Sequence, residues 1–219
     1  AAVYRPEPLA MGPAAEQLAK RLVGALDRVA AWAVDDTGFL KQGTHSVGVA
    51  RQHSGTLGKI GNCQVAVSLH YATDDAAIPL DFALYLPEEW LEEPSREEAG
   101  IPEDVRFQPQ WALALALIDR ALEWGVPKGV VTADAGYGNS SEFRAGLAER
   151  GQPFVVGVQS TVGVWPDPGQ LASPTRGRGG RPGLQPPELG YPMSVDQLRQ
   201  SWPLAPTPPT PPSHRFIVT

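Results

Sequence analysis

Three aspartates are the residues of this sequence whose placement is best suited to metal chemistry. Asp35 and Asp36 follow the apolar run 29–34, and Asp134 follows a second apolar run, 130–133. Each run predicts a buried strand, so the carboxylates stand at strand ends, where they repel one another unless a cation neutralises them. Mg²⁺ or Mn²⁺ suits such ligands, and two ions can hold both oxygens of a phosphoryl transfer. The pattern therefore predicts a divalent metal site.

Structural roles remain the alternative for these side chains. Aspartate is common in turns and at helix N-termini, so the three carboxylates could serve only as caps. The histidines His45, His53 and His70 are eight and seventeen residues apart, which fits no zinc signature. The single cysteine, Cys63, cannot form an internal disulfide and is expected to be a small core residue.

Length and composition predict a folded protein with one main core. The 219 residues are 42% hydrophobic, enough for one substantial domain with appended segments. No apolar run is long enough to cross a bilayer, and the N-terminus lacks the pattern of a signal peptide. We therefore expect a cytoplasmic protein without a membrane partner.

The charge is unevenly distributed. The net charge is −6, but residues 72–104 hold 11 of the 24 Asp and Glu residues and only one basic residue, Arg96. The remainder carries 17 basic and 13 acidic residues. This predicts a solvated acidic insertion at about residues 72–104 and a mildly basic body that permits a phosphate-bearing partner.

The hydrophobic periodicity predicts an α/β fold with a mixed sheet. A helix precedes the strand at 29–34, and three strands in meander order follow at about 46–51, 64–71 and 80–86. Strands at 130–133 and 154–158 then alternate with two helices. The first helix runs from Pro109 to Gly125, and the second has Asn139 and Glu142 as a capping box. An antiparallel meander followed by strand and helix alternation predicts a mixed sheet with flanking helices.

The C-terminal part of the sequence loses this periodicity. Residues 166–190 are rich in Pro and Gly and contain Arg176, Arg178 and Arg181, which either follow a phosphate backbone or belong to a solvated loop. Six prolines between positions 203 and 212 predict an extended tail. The expected domains are a helical lead-in (1–29), a core (30–160) and a largely irregular C-terminal segment (161–219).

Several motifs resemble those of bacterial insertion-sequence transposases of the IS701 group, within the larger IS4-like DDE superfamily. In order along the chain, the motifs are Asp-Asp-Thr-Gly-Phe-Leu-Lys-Gln-Gly at 35–43, Ser-Val-Gly-Val-Ala-Arg-Gln at 46–52, Asn-Cys-Gln-Val-Ala-Val-Ser at 62–68, Leu-Tyr-Leu-Pro-Glu-Glu-Trp at 84–90, and Ala-Asp-Ala-Gly-Tyr-Gly at 133–138. The resemblance extends over roughly residues 30–203. Its motifs are specific because several long ones occur in the same order.

The resemblance implies a fold, a reaction and a set of ligands. The implied fold is RNase H-like, with the first catalytic aspartate on the first strand and the second on the fourth. By motif position Asp36 is the first metal ligand and Asp134 the second, whereas a contribution of Asp35 stays open. Such enzymes use Mg²⁺ (or Mn²⁺) to cut DNA at transposon ends and to join the freed 3′-hydroxyl to target DNA. The implied partners are DNA and a second copy or a full-length transposase.

The sequence departs from the family pattern at the third acidic residue. No motif beyond Asp134 matches the helical Tyr-x-x-Arg-x-x-x-Glu signature, and Glu188 lies in a Pro-rich stretch that does not fit the role. The family-like sequence ends near Leu204, and only about thirty residues precede the first strand. We therefore expect a truncated transposase with weak or absent activity, because two carboxylates hold a second metal ion poorly.

Two other interpretations compete with this one. A haloacid-dehalogenase-like phosphohydrolase needs an Asp-x-Asp motif, whereas the aspartates here are adjacent. The second alternative is a catalytically inactive remnant that binds DNA or a full-length transposase. Whether the chain is an active transposase or an inactive remnant that binds DNA, contacts with DNA phosphates are predicted from its basic residues Arg51, Lys59, Arg176, Arg178 and Arg181.

Overall fold

The computed structural model describes residues 16–17, 19–21, 24, 31–55, 58–164 and 193–201. The chain divides into two compact units, residues 1–157 and 158–219. The second unit contains a short antiparallel pair, β7 (Gly163–Val164) and β8 (Met193–Ser194), followed by helix α5 (Val195–Ser201). Over the described ranges, no helix has the length and apolar character needed to span a bilayer.

The first unit is built on a six-stranded sheet, and the structure describes four of its helices from end to end. Its strands are β1 (Ala31–Leu40), β2 (Ala50–Ser54), β3 (Lys59–Ala72), β4 (Ala77–Leu84), β5 (Val130–Ala133) and β6 (Phe154–Val156). Its helices are α1 (Ser95–Ala99), α2 (Gln110–Glu123), α3 (Ala135–Gly138) and α4 (Ser141–Glu149), with a 3₁₀ turn at Glu88–Leu91.

The sheet combines antiparallel and parallel pairing, as the sequence predicts. The long strand β3 pairs antiparallel with β1 along one edge, and its other edge is shared by β2 and β4. Strand β1 is parallel to β5, which is parallel to β6. The carboxyl ends of β1 and β5 therefore lie at the same edge of the sheet, where side chains from both strands can meet.

Side chains alternate between the two faces of the sheet along the central strands, and one of these faces packs against α2 and α4. Trp32 and Val34 lie on this face and are at most 3% exposed. Leu117 of α2 and Phe143 of α4 belong to the same core cluster and are fully buried. Burying a side chain of this size contributes about 1.5–3 kcal/mol. Because Asp36 follows Val34 at a spacing of two, it belongs to the same, helix-covered face.

Two predicted strand positions are wrong at their ends. The first strand does not stop before the aspartates but continues to Leu40, because β3 pairs with it over its whole length. The strand predicted at 46–51 lies instead at Ala50–Ser54. Residues before it form a turn in which Gly48 has a positive φ of 80°, a conformation that glycine adopts without strain.

The helix limits follow from identifiable local signals. Pro109 precedes α2, and Gly125, with φ of 75°, comes just after it, as predicted. The N-cap of α4 is Ser140 rather than the predicted Asn139, because the Ser140 hydroxyl accepts a hydrogen bond from the Phe143 amide at 3.0 Å. The short helix α3 was not predicted.

The acidic stretch at residues 72–104 is not one solvated insertion. Residues 77–84 form β4, and Asp81 within it is buried and paired with Arg120 of α2 at 2.7 Å. After β4 the chain forms a small cluster around Leu86 and Ile101. The guanidinium of Arg96 donates to the carbonyls of Leu91, Pro102 and Val105, which ties this part together.

Candidate active site

A cavity of about 500 Å³ lies beside the middle of β1 and the carboxyl end of β5. Two of the three aspartates, Asp36 and Asp134, contribute to its wall. The remaining lining residues are Gln52, His53, Val65, Tyr85, Pro109, Gln110, Trp111, Gly136 and Tyr137. Residues from β1, the β2–β3 hairpin and the starts of α2 and α3 therefore surround one cavity.

Asp36 is held in place by the sheet and by α2. It pairs with Val67 of β3 within a continuous ladder, so its backbone cannot move independently of the sheet. Its carboxylate oxygen Oδ2 accepts a hydrogen bond from Gln110 Nε2 at 3.1 Å. Because Gln110 is the first residue of α2, the helix that covers the core also orients the carboxylate. Asp36 is therefore part of a strand and does not cap a turn.

Asp134 is fixed by a helix N-terminus. The parallel pairing of β1 and β5 ends at Ala33 and Thr132, and Asp134 follows two residues later as the N-cap of α3. Its Oδ1 accepts from the Gly136 amide at 2.8 Å and from the Tyr137 amide at 3.4 Å. The alternative of a capping role is thus correct for Asp134, but the same carboxylate also lines the cavity.

Close packing of two glycines determines where α3 lies. A Cβ atom on Gly138 would be only 1.9 Å from the Gly157 carbonyl oxygen, and one on Gly157 would be 3.1 Å from the Ala135 nitrogen. The end of β6 and the helix therefore approach backbone to backbone. This contact places the start of α3, and with it Asp134, against the sheet.

The aspartates influence each other electrostatically. Burial raises the pKa of Asp36 above its ordinary value, and the charges of Asp35 and Asp134 raise it further. The hydrogen bond from Gln110 acts in the opposite direction. A divalent cation would relieve this repulsion, and carboxylate oxygens are the donors that Mg²⁺ and Mn²⁺ prefer. Asp36 and Asp134 therefore have the donor chemistry that a hard divalent cation requires.

Asp35 takes a different position from its neighbour. It pairs with Ser68 of β3 and lies on the opposite face of the sheet. Its carboxylate accepts the Asp36 amide at 2.8 Å, and its carbonyl accepts the Ser68 hydroxyl at 3.2 Å. Asp35 thus acts on Asp36 through its charge and does not belong to the cavity lining.

The described residues supply two carboxylates to the cavity but no third one. Within them, no group of three or more His, Cys, Asp or Glu side chains is arranged to hold a metal ion. His70 contacts the Ser68 hydroxyl at 3.0 Å, and burial lowers its pKa. Cys63 is fully buried, as predicted for a core residue. Glu188 lies outside the described ranges.

Of the predicted DNA-contacting residues, the two that the structure describes, Arg51 and Lys59, do not line the cavity. Arg51 and Lys59 are both exposed, in β2 and at the start of β3. Arg51 pairs with Asn62, which lies on the face of β3 opposite Asp36. Lys59 lies an even number of residues before Val67, the partner of Asp36, so Lys59 and Asp36 share one face of the sheet. The three remaining arginines, Arg176, Arg178 and Arg181, fall outside the described residues.

Gln110 and Tyr137 are site residues that the sequence reasoning missed. Tyr137 is 4% exposed, lines the cavity and packs against Phe143 with ring centroids 5.7 Å apart. Burial strongly raises its pKa, and the charges of Asp36, Asp35 and Asp134 raise it further, so its hydroxyl stays protonated. Its position three residues after Asp134 was a usable signal, since an N-cap faces the first turn of its helix.

Comparison with known proteins agrees with this arrangement. The family model described as DDE superfamily endonuclease matches residues 5–206. Among curated proteins, the probable transposase for insertion sequence element IS701 of Microchaete diplosiphon is 33% identical over 128 residues. That match covers 58% of this chain and 31% of the relative, so the chain spans about a third of the relative's length.

No solved structure gave a significant match. The family match covers nearly the whole sequence and confirms the predicted resemblance, including the mixed α/β, RNase H-like fold that it implies. Divalent metal ions are general cofactors of this superfamily, and its transposases act on DNA. The chain belongs to the DDE superfamily endonucleases.

Proposed function

We propose that this chain is the metal-binding core of a DNA transposase, acting in phosphodiester cleavage and strand transfer. The observation that carries the proposal is the shared position of Asp36 and Asp134, which line one cavity from two parallel strands and raise each other's electrostatic energy. Two fixed carboxylates with mutual repulsion have the properties of a divalent cation site. The partner that follows is DNA, both at transposon ends and at the target.

The residues of the chain have distinct roles in this proposal. Asp36 and Asp134 would hold Mg²⁺ or Mn²⁺, which when bound polarises phosphate oxygens and lowers the pKa of water. Gln110 orients the Asp36 carboxylate through its hydrogen bond. The backbone amides of Gly136 and Tyr137 fix the Asp134 carboxylate. The exposed Lys59, on the same face, would contact DNA phosphates, and Arg51 would do so on the other face.

A DNA-binding role without cleavage is the second candidate. The observation that favours it is that the described residues supply only two carboxylates to the cavity. A second ion would then be held weakly, and cleavage by this chain would be slow. In that case its basic residues contribute through DNA phosphates or through contact with another transposase chain.

A plasmid-nicking assay tests the proposal. The purified chain is incubated with supercoiled plasmid and either Mg²⁺, Mn²⁺ or EDTA, alongside Asp36→Asn and the control Asp74→Asn. Asp74 is an exposed carboxylate in the turn between β3 and β4. Metal-dependent nicking that disappears only in Asp36→Asn supports the cleavage function. Salt-sensitive plasmid binding that is the same in all three proteins, without nicking, supports the second candidate.

A further inference from the structure

The Tyr137 hydroxyl is the feature of the cavity that the proposed metal site leaves unexplained. The side chain is 4% exposed, and the hydroxyl has no hydrogen-bond partner within the described part of the chain. Buried polar groups are nearly always hydrogen-bonded, so an exception calls for a physical reason. One such reason is that the hydrogen-bond acceptor for this hydroxyl belongs to a ligand that binds in the cavity.

The surroundings of Tyr137 keep its ring in place. Its backbone amide donates to Asp134 Oδ1, and the following residue, Gly138, is packed against the Gly157 carbonyl. Its ring lies against Phe143, which is fully buried. These contacts anchor the Tyr137 side chain at the N-terminal end of α3, the helix that Asp134 caps and that lines the cavity.

The chemistry of the cavity limits what the acceptor can be. The carboxylates of Asp36 and Asp134 are acceptors in the same cavity, yet neither receives the phenol hydrogen. When these carboxylates bind a cation, the acceptor must be an oxygen of the ligand that the cation attracts. An anionic phosphate oxygen fits best, because a hydrogen bond to a charged acceptor is about twice as strong as a neutral one.

We propose that the Tyr137 hydroxyl donates a hydrogen bond to a non-bridging oxygen of the DNA phosphodiester at Asp36 and Asp134, which makes it a substrate-binding residue. This inference rests on the proposed function, because it requires DNA to reach the cavity. It adds a contact between a side chain and the substrate phosphate that neither the carboxylates nor Gln110 provide.

Tyr137→Phe removes the hydroxyl and preserves the ring, so it isolates the proposed contact. The matched control is Tyr71→Phe, the same change at a buried tyrosine in β3 that does not line the cavity. The probe is a fluorescein-labelled 20-base-pair duplex, and its affinity is measured by anisotropy with Ca²⁺ and with EDTA. Mn²⁺ binding by calorimetry and the Tm are measured on the same three proteins.

We expect Tyr137→Phe to bind the duplex about 10- to 100-fold more weakly than wild type in Ca²⁺, the loss expected for one hydrogen bond to a charged group. Its binding in EDTA, its Mn²⁺ affinity and its Tm should match those of Tyr71→Phe. Equal duplex affinity in Ca²⁺ for wild type and Tyr137→Phe would overturn the inference alone. A parallel loss of Mn²⁺ affinity or of Tm would also overturn it, by assigning the hydroxyl to the metal site or to packing. If wild type shows no Ca²⁺-dependent duplex binding, the proposed function fails and the inference fails with it.

Discussion

Gln110 Nε2 donates a hydrogen bond to Asp36 Oδ2 at 3.1 Å, which joins the first residue of α2 to the middle of β1. Helix α2 also brings its N-terminal end toward this carboxylate, and the partial positive charge of a helix N-terminus favours an anion. No acidic residue occupies the first turn of α2 itself. The helix therefore serves both to cover the core and to orient the carboxylate.

Gln110→Glu is expected to strengthen metal binding. The substitution adds a carboxylate beside Asp36 without a large change in shape, and affinity for hard cations rises with the number of charged ligands. We expect Mn²⁺ to bind about tenfold more tightly by calorimetry at pH 7.5. The control Gln108→Glu adds the same charge at an exposed position two residues earlier, and its Mn²⁺ affinity should equal that of wild type. An Mn²⁺ affinity of Gln110→Glu equal to that of wild type would show that the ion does not bind beside Asp36 and residue 110.

Asp36→Asn is expected to stabilise the metal-free protein at neutral pH. Burial and the neighbouring carboxylates raise the pKa of Asp36 above 3.8 in the folded state. Between the pKa of Asp36 in the unfolded state and its higher pKa in the folded state, the folded state binds more protons. The stability of the protein therefore falls as pH rises through this window and stays lower above it. Asparagine keeps an acceptor for Gln110 and removes the charge.

Thermal unfolding in EDTA measures this effect. The Tm of Asp36→Asn should exceed that of wild type by about 2–4 °C at pH 8, which for a chain of this size corresponds to roughly 1 kcal/mol. The difference should vanish toward pH 3. In excess Mn²⁺ the order should reverse, because only the wild type gains stability from the bound ion. A wild type that is more stable than the variant in EDTA at pH 8 would contradict the repulsion between the aspartates.

Gly138→Ala is expected to displace α3 and weaken the site. The new methyl group would lie 1.9 Å from the Gly157 carbonyl oxygen, so the backbone must move. We expect a loss of about 3 kcal/mol in the free energy of unfolding, at the upper end of typical overpacking costs. Urea denaturation gives the stability, and Mn²⁺ calorimetry should show weaker binding. Gly43→Ala is the control, because nothing lies within 4 Å of its added Cβ.

The buried ion pair between Asp81 and Arg120 should matter more for stability than the exposed one between Asp119 and Arg150. The Asp81 side chain is 1% exposed, whereas that of Asp119 is 44% exposed. Removing one partner of a buried pair costs about 3–5 kcal/mol, and exposed pairs contribute about 1 kcal/mol or less. Urea denaturation of Asp81→Ala and Asp119→Ala checks this order. Equal losses would show that burial does not govern the contribution of Asp81.

Local patterns predicted the elements whose limits depend on local signals. Strand β5 and helix α2 have nearly the predicted bounds, because an apolar run and a Pro–Gly pair delimit them. The true extent of β1 was not predictable in this way. It continues past both aspartates because β3, more than twenty residues later in the chain, supplies hydrogen bonds along its length.

The sequence indicated the two charged residues of the site but not the side chains that contact them. Asp36 and Asp134 were paired from the sequence by their positions in motifs that resemble the family, and both line one cavity. The roles of Gln110 and Tyr137 depend on how α2 and α3 lie against that edge, which is decided by packing between residues such as Gly138 and Gly157. Likewise, only the strand register separates Asp35 from Asp36.

The most direct test of the account is Mn²⁺ calorimetry on wild type, Asp36→Asn, Asp134→Asn and the control Asp74→Asn. Asparagine at position 134 keeps the helix cap, so a loss of binding there reports the charge and not the fold. The account predicts that Mn²⁺ binds wild type and Asp74→Asn equally, and binds each of the other two variants at least tenfold more weakly. Unchanged binding in either Asp36→Asn or Asp134→Asn, with Tm values showing folded proteins, would contradict a shared metal site.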